Sequence, residues 1–295
     1  MKKLFLVFAI AGANIDVGSA ALDGAKIDEI TGLKGKLSEK ENVYKITWPR
    51  GDVKVTVDGW MMPPFMGLGT WAAFTETKDG AMVMGDTVLF EDEVSAAMAT
   101  ALDNGLSVTA LHNHFFFDHP RVFFMHIEGD SSIEQLAGAV KKMYDAVKQV
   151  RSATPQPKET FGANPLPDKN SVSAEPLNKI FGVSGDVNNG TVKFTFGRPA
   201  QMHGTKIDNT MGVNTWAAFA GSDDNAVVDG DFAVTEDELQ PTLKSLLKQK
   251  INIVAIHQHM THEQPRIMFF HYWGRGSAKA LAENIKTALA LTGSE

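Results

Sequence analysis

The chain has 295 residues, 43% of them apolar, a formal net charge of −7 and no cysteine. Without cysteine there are no disulfides, thiolate metal sites or cysteine nucleophiles. The absence of any Lys- or Arg-rich run argues against a nucleic-acid partner, because phosphate binding leans on clustered cations.

Taken in order, the chain opens on Met1, Lys2 and Lys3, continues with an apolar stretch over 4–13, and reaches the small residues Gly18, Ser19, Ala20 and Ala21. This predicts an export signal over 1–21 and a periplasmic or secreted mature protein. The apolar stretch is too short to span a bilayer as a helix, and no later segment comes closer, so an integral membrane protein is not expected. Ile27, Ile30 and Leu33 are spaced for a short helix. Residues 43–48 and 53–58 alternate as strands, and Pro49, Arg50, Gly51 and Asp52 between them predict a hairpin. Further strands are expected over 70–74 and 81–86. Glu91, Asp92 and Glu93 then start a helix whose apolar face is Val94, Met98, Ala101 and Leu102, and Asn104-Gly105 stops it. Two more strands follow over 108–114 and 121–128. Ser132 precedes a last helix carrying Ile133, Leu136, Val140, Met143, Tyr144 and Val147.

Residues 152–176 hold Pro155, Pro157, Pro165, Pro167 and Pro176 and read as a linker. After it the pattern returns. Residues 177–182 repeat the short helix, and 191–196 align with the valine-rich strand at 54–57. From Met66 to Gly129 against Met211 to Gly274 no gap is needed, and 24 of 64 paired positions are identical at a constant offset of 145. Thr235 and Glu238 have the spacing of a capping box, and Leu239, Leu243, Leu246 and Leu247 form the face of the second copy's helix. The expected fold is α+β, a tandem duplication of a β-rich unit (about four strands, helix, two strands, helix) with mainly antiparallel sheet and pseudo-two-fold packing. The first repeat is 22–151 and the second is 177–295.

Ala110, Leu111, His112, Asn113 and His114, with Pro120, Arg121, His126 and Gly129, resemble the LppY/LpqO family of exported bacterial proteins, itself of unknown function. Thr70, Trp71, Ala72, Ala73, Phe74, Gly85, Asp86 and Glu91 fit the same pattern. Some members of that family look like lipoproteins; this chain, lacking cysteine, departs from them. The resemblance supplies no activity.

The chemistry is concentrated in His112, His114, Asp118 and His126 and their counterparts His257, His259, Glu263 and His271. Alternate residues of a strand share a face, so each His-x-His pair projects together and can chelate an ion, with Asp118 or Glu263 as a candidate oxygen ligand. The spacing resembles the first metal motif of cupins, whose fold these helices do not fit. With N and O donors only, Zn, Cu, Fe, Mn and Ni are all admissible as a divalent transition metal. In a regular hairpin of 108–114 with 121–128, His126 would lie about 10 Å from His112, too far for one ion. His126 and His271 are therefore expected to cluster with the pair of their own repeat through altered strand order, the alternatives being a bulge that shifts the register or exchange across repeats. Arg121 and Arg266, each after a proline, read either as forks for a ligand's carboxylate or phosphate or as salt-bridge partners of Asp86, Glu91, Asp231 and Glu236. Glu91 and Glu236 are helix-start residues that a ligand could also use. The predicted function is an extracytoplasmic His-rich metal-binding protein, with metal-dependent action on a small or anionic ligand. The competing reading is a non-catalytic envelope module that binds its ligand in the cleft between repeats.

Overall fold

A computed structural model describes residues 22–294; the export signal expected over 1–21 lies outside them. The first repeat runs α1 (Gly24–Thr31), β1 (Gly35–Ser38), β2 (Val43–Pro49), the short β3 (Thr56–Val57) and β4 (Trp60–Met61), β5 (Gly69–Thr77), β6 (Gly80–Phe90), α2 (Glu91–Asp103), β7 (Ser107–His112), β8 (Asp118–His119), β9 (Val122–Ser131) and α3 (Ile133–Ala153). The second runs α4 (Ala174–Phe181), β10 (Asp186–Asn188), β11 (Thr191–Gly197), β12 (Ala200–Met202), β13 (Thr205–Ile207), β14 (Asn214–Gly221), β15 (Ala226–Thr235), α5 (Glu236–Lys248), β16 (Asn252–His257), β17 (Ile267–Gly276) and α6 (Ala278–Leu289).

Both repeats contribute to one 12-stranded sheet ordered β1-β2-β5-β6-β9-β7-β16-β17-β15-β14-β11-β10. The strands pair antiparallel throughout, and the repeats join where Leu111 of β7 faces Ile256 of β16. These two residues occupy the same place in their repeats, so an antiparallel pair between them marks a local pseudo-two-fold axis. The helices cover one face as a single layer in the order α1-α3-α2-α5-α6-α4. Their apolar stripes and the alternate residues of the strands make one continuous core across both repeats. Antiparallel sheets permit this one-sided covering.

The other face of the sheet carries smaller covers. In the first repeat β3, β4 and β8 form a three-stranded flap, and Val53, Val55 and Met62 pack on Val88, Phe90, Val122 and Phe124 beneath it. In the second, the β12–β13 hairpin sits there, with Ala200 and Ile207 packed against Ala233, Ile267 and Phe269. The expected hairpin between 43–48 and 53–58 is therefore not formed. The valine alternation is real, but it serves the flap, whereas β2 pairs with β1 and β5. Likewise β11 is the counterpart of β2, pairing with β10 and β14, and not of the 54–57 stretch. Phe116 and Phe117, with Trp60, Met61, Phe65 and Met66, stand exposed on the flap.

Two observations explain how the repeats are held. The start of each central helix is fixed by its third residue: Glu93 accepts from the Phe90 N–H and Glu238 from the Thr235 N–H, both at 2.9 Å, the reciprocal half of a capping box. Across the axis, the Gln240 side chain accepts from the Val108 N–H at 2.9 Å and donates to the Val108 carbonyl at 3.0 Å. Gln240→Ala leaves both backbone groups without that partner. A loss of about 1–3 kcal/mol is expected, read as a lower urea midpoint at unchanged slope. The linker is tied down as well. The Lys158 N–H reaches the Asp92 carboxylate, and Asn225 donates to the Pro165 carbonyl. Among the described residues, no helix is long and apolar enough to cross a membrane.

Candidate metal centre

Everything at the site depends on one extra residue in β7 and in β16. The β7–β9 pairing runs Ser107 with Glu128 and Val108 with Ile127, then shifts, so that Ala110 faces His126 and His112 faces Phe124. The same bulge lies between Ile253 and Ala255. Val108 and Leu111, three apart, consequently both enter the helix-side core, as do Ile253 and Ile256. A one-residue slip moves every later side chain to the other face. Unshifted, His112 would point under the helices and away from His126; the bulge brings both to the helix-free face.

On that face, opposite His271, stands Asp231 of β15. The helix side at this point is filled: a Cβ on Gly230 would run into the Tyr272 hydroxyl and the Trp216 carbonyl. The Gly-Asp step thus lets the strands close beneath while the carboxylate projects above.

In the second repeat His257 Nε2 and His259 Nε2 are 3.1 Å apart, and the His257 and His271 rings stack at 4.8 Å. Asp231 Oδ2 lies 3.3 Å from His259 Nε2 and 3.9 Å from His271 Nε2. His259 Nδ1 is 3.3 Å from the Gly212 carbonyl, and His271 Nδ1 is 3.2 Å from the Gly230 carbonyl. A carbonyl only accepts, so each ring donates its Nδ1–H there and turns Nε2 toward the site, the orientation that metal-ligating imidazoles are given by their outer partners. The His259 ring is further clamped flat on Phe269 at 3.5 Å between centroids. Burial raises Asp231 to about 6, partly offset by His271 and His259. Burial, then His271 and His259, lower His257 to about 4, so that imidazole is neutral near pH 7.

The first repeat has the same parts in a looser arrangement. His112 Nε2 and His114 Nε2 are 3.2 Å apart, His126 stacks on His112 at 5.2 Å, and Asp86 faces His126 across β6 and β9. Burial lowers His112 and His114 and raises Asp86. Among the described residues, the group whose ligand atoms all lie within 4.8 Å of one another is Asp231, His257 and His259.

His126 and His271 therefore join the pair of their own repeat, through a bulge and not through altered strand order. Asp118 is occupied by the Val122 N–H at 2.6 Å, and Glu263 by the Ile267 N–H at 3.1 Å with Arg266 at 3.7 Å. Both brace the loop that leads into the next strand, and the acids beside the histidines are Asp86 and Asp231. Their sequence signal was the Gly-Asp step retained in both copies. Arg266 and Glu236 line a cleft described below, Glu91 lines its counterpart, and Arg121 acts on Glu91 electrostatically. Among the described residues neither Arg121 nor Arg266 makes a salt bridge to Asp86, Glu91, Asp231 or Glu236, and Arg266 meets Glu263 instead.

Where β7 and β16 splay on either side of their single paired position, two pseudo-equivalent clefts open between the repeats. One is lined by Ser107, Thr109, Glu128, Glu236, Gln240 and Arg266. The other is lined by Glu91, Phe123, Phe161, Asp229, Trp273 and His271, so it reaches the second repeat's histidines.

The family model described as Domain of Unknown Function (DUF1259) matches residues 25–146 and again 175–291. The chain belongs to this family. It carries two tandem copies of the domain, which is the duplication expected from the sequence. No curated protein matches. A crystal structure of a trimeric bacterial microcompartment shell protein, PduB, is 10% identical over 87% of this chain and 89% of that one, with a TM-score of 0.24, and at that score it carries no argument.

Proposed function

We propose that this DUF1259 protein binds a divalent transition ion in its second repeat through Asp231, His257 and His259, with His271 as a fourth donor. The observation that carries this is Asp231. It is 2% exposed, its Oδ1 has no hydrogen-bond partner, and it stands against imidazole nitrogens turned toward it. A buried carboxylate oxygen without a hydrogen-bond partner is costly, and a cation among these donors offsets that cost. Three histidines and one carboxylate suit Zn, Fe, Mn, Ni or Cu(II). A bound ion would polarise a ligand oxygen or lower the pKa of a water; the histidines and Asp231 orient it, and Phe269 beneath His259 keeps one side dry. We extend the reading to metal-dependent action on a small ligand outside the cytoplasm, in keeping with the leader-like start and the LppY/LpqO resemblance.

The test is elemental analysis of protein loaded with Zn, Mn, Fe, Ni or Cu and dialysed against buffer. Near one ion per chain is expected for at least one metal, and none retained for any would overturn the reading. A second reading, a binding module that uses the cleft between repeats, is favoured by the aromatic-walled cavity beside His271.

A further inference from the structure

The two inter-repeat clefts begin as copies of one another, and their differences show what each can hold. The counterparts of Ser107, Glu128 and Met268 in one cleft are Asn252, Trp273 and Phe123 in the other. The linker leaving α3 passes over only the second cleft. There the Lys158 N–H is fixed to Asp92, and Phe161, itself largely exposed, joins the lining. The duplication is thus broken on one side, where an apolar cavity of about 390 Å³ has gained three aromatic walls, Phe123, Phe161 and Trp273. That volume is in the range of small-ligand sites.

Its polar groups narrow the ligand. Ser95 and Asn252 are used on each other at 2.8 Å, and Asn252 also donates to the Trp273 carbonyl at 3.2 Å. The groups left to meet a ligand are the carboxylates of Glu91 and Asp229, with the edge of His271. No Lys or Arg lines the cavity itself, although Lys158 lines the adjoining pocket that shares Glu91 and Phe161. Among the described residues neither carboxylate has a salt bridge, although Arg121 acts on Glu91 and Lys193 on Asp229 from a distance. Burial raises the Glu91 carboxyl above its ordinary value, which a cation in the cavity would reverse. Aromatic faces attract an ammonium group, and a carboxylate pairs with it.

We infer that this cleft is a binding site for a small organic ammonium ion with a flat apolar body, seated between Phe161 and Trp273 with its charge on Glu91 and Asp229. The inference deepens the cleft-binding reading and does not need the ion. The opposite cleft, with Glu128 and Met268 where Trp273 and Phe123 stand and with Arg266 in its lining, does not take such a ligand.

Calorimetric titration of the full, chelator-treated chain with phenethylammonium, 3-phenylpropanol and 3-phenylpropanoate tests it. Phenethylammonium is expected to bind at least 10-fold more tightly than the alcohol, and the carboxylate not measurably. Glu91→Gln with Asp229→Asn should reduce the ammonium to the level of the alcohol. Phe161→Ala should weaken both, and Glu128→Gln in the opposite cleft should change neither. Equal binding of ammonium and alcohol overturns the ligand class while leaving the cleft in use. Binding of none of the three overturns the cleft reading as well, and a loss with Glu128→Gln equal to that with Glu91→Gln would place the site in the wrong cleft.

Discussion

Arg50→Ala is expected to lower the stability of this protein by about 3–5 kcal/mol, the range for removing one partner of a buried ion pair. Arg50 is 1% exposed and Glu93 is fully enclosed. The guanidinium gives Nη1 to Glu93 Oε2 at 2.8 Å and Nη2 to Glu93 Oε1 at 2.9 Å, reaches the Val88 carbonyl at 2.8 Å, and holds Asp52 at 2.9 Å. One side chain thereby ties β2, β6 and the start of α2. Arg151 Nε also holds Glu93, at 2.7 Å, so its charge is not abandoned altogether. Arg50→Lys keeps the charge but not the planar fork and should fall between. In the second repeat Arg198 Nη2 meets Glu238 Oε2 at 2.9 Å, and the Gly293 N–H takes the place of Arg151. Glu238 is partly exposed, so Arg198→Ala should cost less than Arg50→Ala. Urea unfolding of the three variants checks the order; equal costs for Arg50→Ala and Arg198→Ala would contradict it.

The second large effect is on metal affinity. His257→Ala with His259→Ala is expected to weaken binding by more than about 100-fold, beyond what loss of an outer-shell partner produces. The far-ultraviolet circular dichroism should stay unchanged, because both rings lie on the helix-free face and neither belongs to the buried core. The paired change His112→Ala with His114→Ala is the control. Asp86 is not drawn into a compact group with those histidines, so the tight site should survive it. If the first-repeat pair abolishes tight binding and the second-repeat pair does not, the assignment is reversed.

Much of this was legible in the sequence because both copies repeat it. The constant offset fixed the duplication, the acidic triplets at Glu91 and Glu236 marked the central helices, and the His-x-His pairs marked the strands on either side of the axis. Two things were hidden. A bulge has no residue signature here: Thr109 and Val254 look like ordinary strand residues, yet the shift at that point decides which face His112 and His257 occupy. The carboxylate beside the histidines was also hidden, for proximity in sequence favoured Asp118 and Glu263, whereas Asp86 and Asp231 arrive from a strand two places away in the sheet. The flap was misread for a related reason. Alternating valines at 53, 55 and 57 signal a face to be buried, but not which surface buries it.

The central claim is that the bulge-aligned histidines and Asp231 form a metal centre. It is tested most directly by anomalous diffraction at the zinc edge from crystals grown with zinc. The predicted result is a peak about 2.0–2.2 Å from His257 Nε2, His259 Nε2 and an Asp231 carboxylate oxygen. A fully loaded crystal with no peak between those three residues, or with zinc held only by surface carboxylates, would contradict it.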